Sequence, residues 1–314
     1  MTKAKDLLSH DEIRALTARS DARGAYAVAS TWALIAGALI ALARFPHPAV
    51  FATAVVVLGG RQLALAILMH EAAHRSLFRS RFANDVLTDW LCARPMWNDV
   101  ARYRAHHHRH HTLTGTDGDP DLSLVTPYPT TRRSLARKLA RDLLGVTGTK
   151  RLFGLALMDL GYLEYTVAGD ARRRPPMPAR AHLREGLRHL PGVLFANGTL
   201  FGVCALSGHA WVYSAWAVAY LTTFSVVVRI RSLAEHACTE RSADPLRNTR
   251  TTRAGVLARL CVAPLHVNYH LEHHLLVMVP YYRLPAMHRL LRARGAVEPA
   301  PGYLDVLSAV SARG

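Results

Sequence analysis

Residues 49–74 read AVFATAVVVLGGRQLALAILMHEAAH. A long apolar run is followed directly by HEAAH, which contains two histidines. Apart from Arg61 and Gln62, the run is apolar over a length sufficient to cross the hydrocarbon core of a bilayer as a helix. His70 and His74 follow at a spacing of four residues, which places both imidazoles on one face of a helix. The stretch therefore predicts a transmembrane helix that presents two metal-binding side chains at the membrane surface.

Three further apolar blocks lie at residues 26–42, 192–207 and 211–228. Each block pairs with a neighbour through a very short connection, so they predict two membrane hairpins at residues 26–69 and 192–228. The alternative, buried core helices of a large soluble protein, is disfavoured because the runs are nearly free of charge and closely paired. We therefore predict an all-α integral membrane fold with four transmembrane helices in two hairpins.

Basic residues set the predicted orientation of these hairpins. They are frequent in residues 1–25, 70–191 and 229–314, whereas the short connections within the hairpins contain only one arginine, Arg44. Because positively charged segments stay on the cytoplasmic side, both termini are predicted to be cytoplasmic, together with a helical cap formed by 70–191 and 229–314. We expect residues 1–314 to form one domain.

The composition supports a membrane protein and excludes several other classes. Of the 314 residues, 50% are hydrophobic and only 19% are charged, which excludes a disordered basic protein. The four cysteines form no CxxC pair, so neither a zinc ribbon nor a disulfide framework is indicated. The net charge of +17 comes from basic residues between apolar blocks, a distribution that does not favour nucleic-acid binding. No secretory signal is visible, so the N-terminus is expected to stay where it is made. The high Ala and Arg content favours a high-GC bacterium, and the expected location is its inner membrane.

Most of the 18 histidines fall into four short clusters in the predicted cap. Residues 103–111 read YRAHHHRHH and residues 268–274 read NYHLEHH, and both contain the HxxHH spacing that suits three ligands on one helical face. Residues 231–236, RSLAEH, add one more histidine. The first cluster, HEAAH, also satisfies the HExxH motif of zinc proteases, but a catalytic zinc takes only three protein ligands. Eight or nine imidazoles instead predict a dimetal site in the cap, and iron suits both nitrogen ligands and dioxygen chemistry.

The succession of HxxxH, HxxHH and HxxHH motifs around two hairpins resembles the membrane fatty acid desaturase and hydroxylase superfamily, in its desaturase branch. GDPD at residues 118–121 and VPYY at residues 279–282 add to the likeness. His106, His108 and His266 lie beside the motifs and are not expected to be ligands, because adjacent helical positions face different ways. The resemblance implies two iron ions bound by nine histidines: His70, His74, His107, His110, His111, His236, His270, His273 and His274.

Polar residues next to the motifs are candidates for supporting these ligands. Glu71, Glu235 and Glu272 are predicted to accept the outer N–H of a ligating imidazole and so fix its tautomer, with a surface salt bridge as the alternative. Asp119 is predicted to do the same within an Asp-Pro turn. Asn268 is predicted either to hold a metal-bound water or to cap the helix of the third motif.

Two aromatic residues precede the second cluster. Trp97 and Tyr103 are candidates for lining an apolar substrate channel, with ordinary core packing as the alternative. Arg61 and Gln62 lie inside the second span, where polar groups are costly, and are expected to pair within the bundle.

The resemblance implies an oxidoreductase, an O2-dependent di-iron desaturase that introduces a double bond into an alkyl or acyl chain of a lipid or lipid-like substrate. No haem, flavin, nicotinamide or iron–sulfur motif occurs in the sequence, so electrons are expected from a separate donor such as a ferredoxin with its reductase. A hydroxylase or ketolase of the same superfamily and a desaturase of a small specialised metabolite remain alternatives. A zinc membrane protease is a remote one.

Overall fold

The computed structural model of the chain describes residues 2–312. Within that range the chain forms helices and four isolated β-bridges, and it contains no β-strand. Short π-helical or 3-10 turns lie at Ala83–Leu87, Asp89–Ala93, Arg94–Met96, Leu122–Leu124, Ala210–Val212, Pro264–His266 and Tyr281–Arg283. The α-helices are α1 (Ala4–Leu7), α2 (His10–Leu16), α3 (Asp21–Arg44), α4 (Pro48–Ala73), α5 (Val100–Leu113), α6 (Arg132–Leu143), α7 (Val146–Asp159), α8 (Ala179–Leu206), α9 (Tyr213–Leu221), α10 (Thr223–His236), α11 (Pro245–Asn248), α12 (Val256–Cys261), α13 (His270–Leu275), α14 (Leu284–Ala293) and α15 (Tyr303–Val310).

The prediction of an all-α fold with four membrane-spanning helices is confirmed. Four helical segments are long and apolar enough to cross a membrane: Asp21–Arg44, Pro48–Ala73, Ala179–Leu206 and Ala210–His236. The last of these combines a 3-10 turn with α9 and α10.

Each span is longer than its apolar block, because hydropathy marks only the lipid-facing part of a helix. Local signals in the sequence set the true ends. Ser20 caps the start of α3 by accepting a hydrogen bond from the backbone N–H of Arg23, and Pro48 occupies the first position of α4. At the other end, α4 and α10 continue past the predicted boundaries at residues 69 and 228 to Ala73 and His236.

α4 is the central element of the bundle. It packs against α3, α9, α10, α5 and α12 and is the most buried of the four spans, whereas α8 is the least buried. Gly59 permits the close crossing of α4 and α10, because a Cβ there would overlap the hydroxyl of Thr223. Arg61 donates from Nη2 to the carbonyl of Leu260, and Gln62 donates from Nε2 to the carbonyl of Trp216 at 2.9 Å. Both polar side chains thus bind backbone groups inside the bundle, as expected.

The N-terminal segment packs on the cap. Leu8 and Leu16 share a buried apolar cluster with Met287 and Leu291 of α14. The same cluster includes Leu271 of α13, which carries the third histidine motif. The N-terminal helices therefore help to hold α13 over the ends of the membrane helices.

Candidate metal centre

The end of α4 supplies the first two histidines of the site. His70 lies in the last turn of α4, and His74 is the residue at which the helix ends. Both side chains are buried, and their ring centroids are 5.0 Å apart. The spacing of four residues therefore places the two imidazoles side by side, as the sequence predicts.

α5 carries the second motif towards the end of α4. Asp99 begins the helix by accepting a hydrogen bond at 2.7 Å from the backbone N–H three residues later. The ring of His107 then lies 4.5 Å from the ring of His70 and 4.5 Å from that of His111, centroid to centroid. α5 is therefore fixed at its start, and its histidine face meets α4.

α13 and the end of α10 complete the cluster. All three histidines of α13 are buried, and they meet side chains from α5 and α10. Nε2 of His270 lies 2.8 Å from Nε2 of His236, and Nε2 of His273 lies 3.1 Å from Nε2 of His111. Ring nitrogens from different helices thus converge on the same points, as the ligands of one metal ion do.

The nine predicted ligands fall into two groups, within each of which the ligand atoms lie within 4.8 Å of one another. The candidate ligands that are four residues apart share a group in all three motifs, because they lie one above the other on the same helical face. The middle histidine of each HxxHH motif, His110 or His273, belongs to the other group. The five-histidine group consists of His70, His74, His107, His111 and His273, and the four-histidine group consists of His110, His236, His270 and His274.

Burial keeps most of these imidazoles neutral, which is the form that binds metal. Burial and the charges of His108 and Arg104 lower the pKa of His74 to about 3. Burial likewise lowers the pKa of His107, His111, His270, His273 and His274 well below the ordinary value. His110 differs, because burial lowers its pKa but the hydrogen bond to Asp119 and the charge of Asp121 more than offset that effect.

Several ring nitrogens of the candidate ligands have no hydrogen-bond partner within residues 2–312. Both ring nitrogens of His70, Nε2 of His74 and Nε2 of His274 are buried and form no hydrogen bond there. Leaving buried polar atoms unpaired is costly, and a bound metal ion would satisfy one nitrogen of each ring. The donor set of nine nitrogens in two groups therefore fits two transition-metal ions with room for further ligands.

Carboxylates lie behind three of the histidines. Asp119 Oδ1 is 2.8 Å from Nδ1 of His110, and Glu71 Oε1 is 3.5 Å from Nδ1 of His70. A third carboxylate oxygen, Oε1 of Glu235, is 3.5 Å from Nδ1 of His270. Only the contact between Asp119 and His110 is a hydrogen bond, because Nδ1 of His70 and Nδ1 of His270 have no hydrogen-bond partner among residues 2–312. The supporting roles of Glu71 and Glu235 therefore stay predictions. The other oxygen of Glu71 accepts hydrogen bonds from the backbone N–H of Tyr281 and the hydroxyl of Ser76.

Glu272 does not occupy its predicted position. It is fully buried and accepts hydrogen bonds from the Thr251 hydroxyl and from Nδ1 of His288 at 2.6 Å. The physical reason is helical geometry, because a residue two positions after His270 faces away from the ligand side of α13. His288 comes from α14, and no spacing in the sequence links it to Glu272.

The structure excludes one of the two roles considered for Asn268. α13 is preceded by Tyr269 and has no side-chain cap, so Asn268 does not cap this helix. Its amide nitrogen donates to the carbonyl of Thr252 at 2.8 Å, and its Oδ1 is buried without a partner among residues 2–312. The remaining role, holding a metal-bound water, stays a prediction.

The other residues singled out from the sequence lie outside the two groups. Nε2 of His106 is 2.8 Å from Asp121, while His108 and His266 belong to neither group. Tyr103 stacks on His107 at 5.1 Å between ring centroids, so it lies against the centre. Trp97 instead donates from Nε1 to Asp159 at 2.9 Å and packs on the membrane core, and the structure does not bring it to the histidines.

Sequence reasoning missed Arg231. This side chain donates from Nε to Glu235 Oε1 at 2.7 Å and so reaches a carboxylate that lies beside a candidate ligand. The signal was present, because an arginine four residues before a glutamate on one helix is a common ion-pair spacing.

Comparison with known proteins agrees with this geometry. Residues 46–302 match the sequence model of a family described as fatty acid desaturase. A curated protein, dihydrorhizobitoxine desaturase of Bradyrhizobium elkanii, is 29% identical over 297 residues, which cover 90% of this chain and 77% of that protein. The matched regions include all nine histidines.

Proposed function

The chain belongs to the fatty acid desaturase family, and on that premise we propose that it is an O2-dependent di-iron desaturase. It removes two hydrogens from adjacent carbons of an alkyl or acyl chain and leaves a double bond. The observation that carries this proposal is the pair of buried histidine groups, formed by nine imidazoles from four helices. Iron bound there would supply the reduction of dioxygen and the oxidation of an unactivated C–H bond.

The protein's own residues bind, orient and shield the metal ions. The nine imidazoles are the proposed ligands. Asp119, Glu71 and Glu235 are proposed to hold the outer nitrogens of His110, His70 and His270, which fixes each ring and makes its metal-binding nitrogen more basic. Seven of the nine histidines are buried, which limits the access of bulk water to the centre.

The reaction consumes one O2, two electrons and two protons and releases two waters for each double bond. We propose that the electrons come from a separate protein, such as a ferredoxin with its reductase. The net charge of +17 supports an acidic donor, because opposite charge speeds encounter and favours docking. We also propose that the centre and both termini face the cytoplasm of a bacterium, in line with the positive-inside rule.

Two classes of substrate are compatible with the proposal. An acyl chain of a lipid is one candidate, in keeping with the family. A small specialised metabolite is the other, because the curated relative is named for dihydrorhizobitoxine and not for a fatty acid. A hydroxylase or ketolase would use the same centre and return oxygen to the carbon.

The arrangement of Glu71 disfavours a zinc protease. In such an enzyme this glutamate activates a water beside the metal. Here its Oε2 is buried and accepts hydrogen bonds from Tyr281 and Ser76, and histidines of all three motifs surround the same metal group.

The test is a mass-spectrometric comparison of total lipids and small metabolites from the native host with the intact gene, with His107→Ala and with His108→Ala. The two histidines are neighbours on α5, but only His107 belongs to a group. We expect His107→Ala to remove an unsaturated product that the His108→Ala control retains.

The identity of the lost product decides between the candidates. Loss of an acyl double bond supports a lipid desaturase, and loss of an unsaturated small molecule supports a tailoring enzyme. Loss of a hydroxyl or keto group would move the protein to the hydroxylase branch. No change between His107→Ala and the intact gene would refute the proposal.

A further inference from the structure

Residues 248–252, which read NTRTT and which we call the crossing segment, contain none of the nine candidate ligands. All of their side chains except that of Arg250 are buried. The segment contacts the end of α5, the end of α10 and the residues that begin α13. These three helices are the ones that supply the imidazoles of the four-histidine group.

The crossing segment binds the carbonyl groups at the end of α10. The last four carbonyls of a helix have no partner within the helix. The backbone N–H of Arg250 donates to the carbonyl of Glu235 at 2.9 Å. Nη1 and Nη2 of the same residue donate to the carbonyls of Ala234 and Ala237 at 3.4 Å and 3.0 Å. Arg250 therefore fixes the last turn of α10, where His236 lies, and its positive charge suits the end of a helix.

The same segment orients the ring of His236. Nδ1 of this ring lies 3.2 Å from the backbone carbonyl of Asn248. A ring that donates from Nδ1 keeps the lone pair of Nε2 for a metal ion. Nε2 of His236 is also the atom that lies 2.8 Å from Nε2 of His270. The crossing segment thus sets the direction of the ring as well as the position of the helix.

The side chain of Asn248 holds the end of α5. Its Nδ2 donates to the carbonyl of Thr114 at 3.0 Å and to that of Ser242 at 2.8 Å. Thr114 directly follows the last residue of α5, and its hydroxyl donates to the carbonyl of His110. Gly115 has a φ of +78°, and a Cβ there would overlap the carbonyl oxygen of Ser242 and the side chain of Asn248. The sequence therefore permits an approach between α5 and the segment that a larger residue would block.

The far end of the crossing segment joins the start of α13. Thr251 forms an antiparallel bridge with Tyr269, which directly precedes His270. The backbone N–H of Thr252 donates to the carbonyl of Asn268 at 2.9 Å. Nδ2 of Asn268 donates back to the carbonyl of Thr252 at 2.8 Å. These bonds fix the point from which α13 begins.

The five-histidine group differs, because two of its helices are joined directly. Arg104 of α5 donates from Nε to the carbonyl of Ala73 at 2.8 Å and from Nη2 to that of Ala72 at 2.9 Å. These carbonyls belong to the last turn of α4, which carries His70. A residue of a ligand-bearing helix thus binds the end of the other helix there, whereas the four-histidine group has a separate segment for this purpose.

We propose that the crossing segment brings the imidazoles of the four-histidine group together before metal binds, with Asn248 and Arg250 as positioning residues. The inference rests on the proposed function, because it concerns the assembly of the proposed metal centre. α5, α10 and α13 come from distant parts of the chain, and residues 248–252 contact all three. One short segment therefore fixes their relative placement, as a metal site requires of the residues around its ligands.

Hydrogen–deuterium exchange of the full-length, metal-free protein in detergent tests the proposal without turnover. Asn248→Ala removes the bonds from Nδ2 to two carbonyls. We expect faster exchange in residues 110–118 and 232–240 and no change in residues 70–76, which belong to the five-histidine side. The matched control is Asn84→Ala, because Asn84 is also buried and its Nδ2 also donates to two carbonyls, those of Phe78 and Ser80. The control should leave exchange in 110–118 and 232–240 unchanged.

Metal affinity gives a second readout, measured by competition between the iron-loaded protein and a chelator. Asn248→Ala should weaken one of the two bound ions by about 10- to 100-fold, as the loss of a residue behind the ligands does, and leave the other ion unchanged. Arg250→Gln should have the same effect, and it also covers the case in which Asn248→Ala fails to fold. Arg250→Lys keeps the charge and one donor at the end of α10, so its loss should be smaller than that of Arg250→Gln.

The two measurements separate this inference from the proposed function. Unchanged exchange in both Asn248→Ala and Arg250→Gln would overturn the role of the crossing segment. Faster exchange in 70–76 to the same degree as in 110–118 would also overturn it, because the effect would then be a general loss of stability. An unmodified protein that binds no iron would refute the proposed function, while exchange in the metal-free protein would still decide whether the segment holds the three helices together.

Discussion

The two histidine groups differ in the number of their imidazoles and in the residues behind them. The five-histidine group has one carboxylate near its outer nitrogens, Glu71, at 3.5 Å. The four-histidine group has Asp119 at 2.8 Å and Glu235 at 3.5 Å from ligand nitrogens, and Nδ1 of His236 lies 3.2 Å from the carbonyl of Asn248. The group with fewer imidazoles is therefore the one with more acceptors behind them.

The two candidate metal positions are therefore not equivalent. Four imidazoles leave more of the coordination sphere open than five do, and open positions are where small molecules bind. Acceptors that orient the remaining rings make each nitrogen a stronger ligand and offset the missing one. Arg231 donates to Glu235 and so belongs to the residues behind the four-histidine group.

Removal of one imidazole from each group should give the largest difference. His274→Ala leaves three imidazoles in its group, whereas His111→Ala leaves four in the other. We expect His274→Ala to lose about half of the bound iron and all activity, because the four-histidine group loses a larger share of its imidazoles than the five-histidine group does. His111→Ala should keep more iron and show low but measurable activity. Iron per chain by elemental analysis and product formation by mass spectrometry measure both.

The control for this pair is His108→Ala, which removes an exposed histidine from the same helix as His111 and should keep full iron content. Equal iron loss in His274→Ala and His111→Ala would show that the two groups bind metal alike. The proposed difference between the two metal positions would then be refuted.

Substitution of the carboxylates beside the candidate ligands should have the next largest effect on metal affinity. Asp119→Asn weakens the hydrogen bond to His110, and loss of such a partner typically costs about 10- to 100-fold in metal affinity. Glu71→Gln should cost less, because Glu71 lies farther from His70 and can keep its contacts with Tyr281 and Ser76 as an amide. Competition with a chelator gives both affinities, and a larger loss in Glu71→Gln would reverse the assignment of the two groups.

Local features of the sequence were sufficient to predict the spans and the pairing of histidines on one helical face, whereas the set of nine ligands was implied by the family resemblance. The apolar run before His70 determines the position of a membrane helix, and histidines four residues apart share a helical face wherever they occur. The same rule groups His107 with His111 and His270 with His274. These relations depend on one helix at a time, so the sequence contains them.

The division into five and four was not predictable in the same way. His110, His236 and His273 join their groups only because α5, α10 and α13 approach one another at particular angles. For Glu272 the sequence suggested a role that the structure does not show. Its position between two candidate ligands in the sequence predicted contact with an imidazole of the centre, but on α13 it points towards Thr251 and His288. Neither result follows from spacing alone.

A change in the support of Glu272 should affect stability and leave the metals unchanged. His288→Ala removes the donor that lies 2.6 Å from this fully buried carboxylate. An unpaired buried acceptor costs about 1–3 kcal/mol, so the free energy of unfolding should fall by that amount. Iron content should stay the same in both groups, and His288→Gln, which keeps a donor, should lose less stability. Iron loss in His288→Ala would show that Glu272 does support metal binding.

The smallest effect is expected from His106, which tests how far the support of the four-histidine group extends. Nε2 of His106 is 2.8 Å from Oδ1 of Asp121, and Oδ2 of Asp121 is 3.7 Å from Nδ1 of His110. His106→Ala should therefore loosen Asp121 and weaken iron binding by about twofold to fivefold, the scale of one modest hydrogen bond. The loss should appear only in the more weakly bound iron, measured by chelator competition beside His108→Ala. An unchanged affinity would mean that Asp119 alone orients His110. Only residues that contact the ligands directly would then support the four-histidine group.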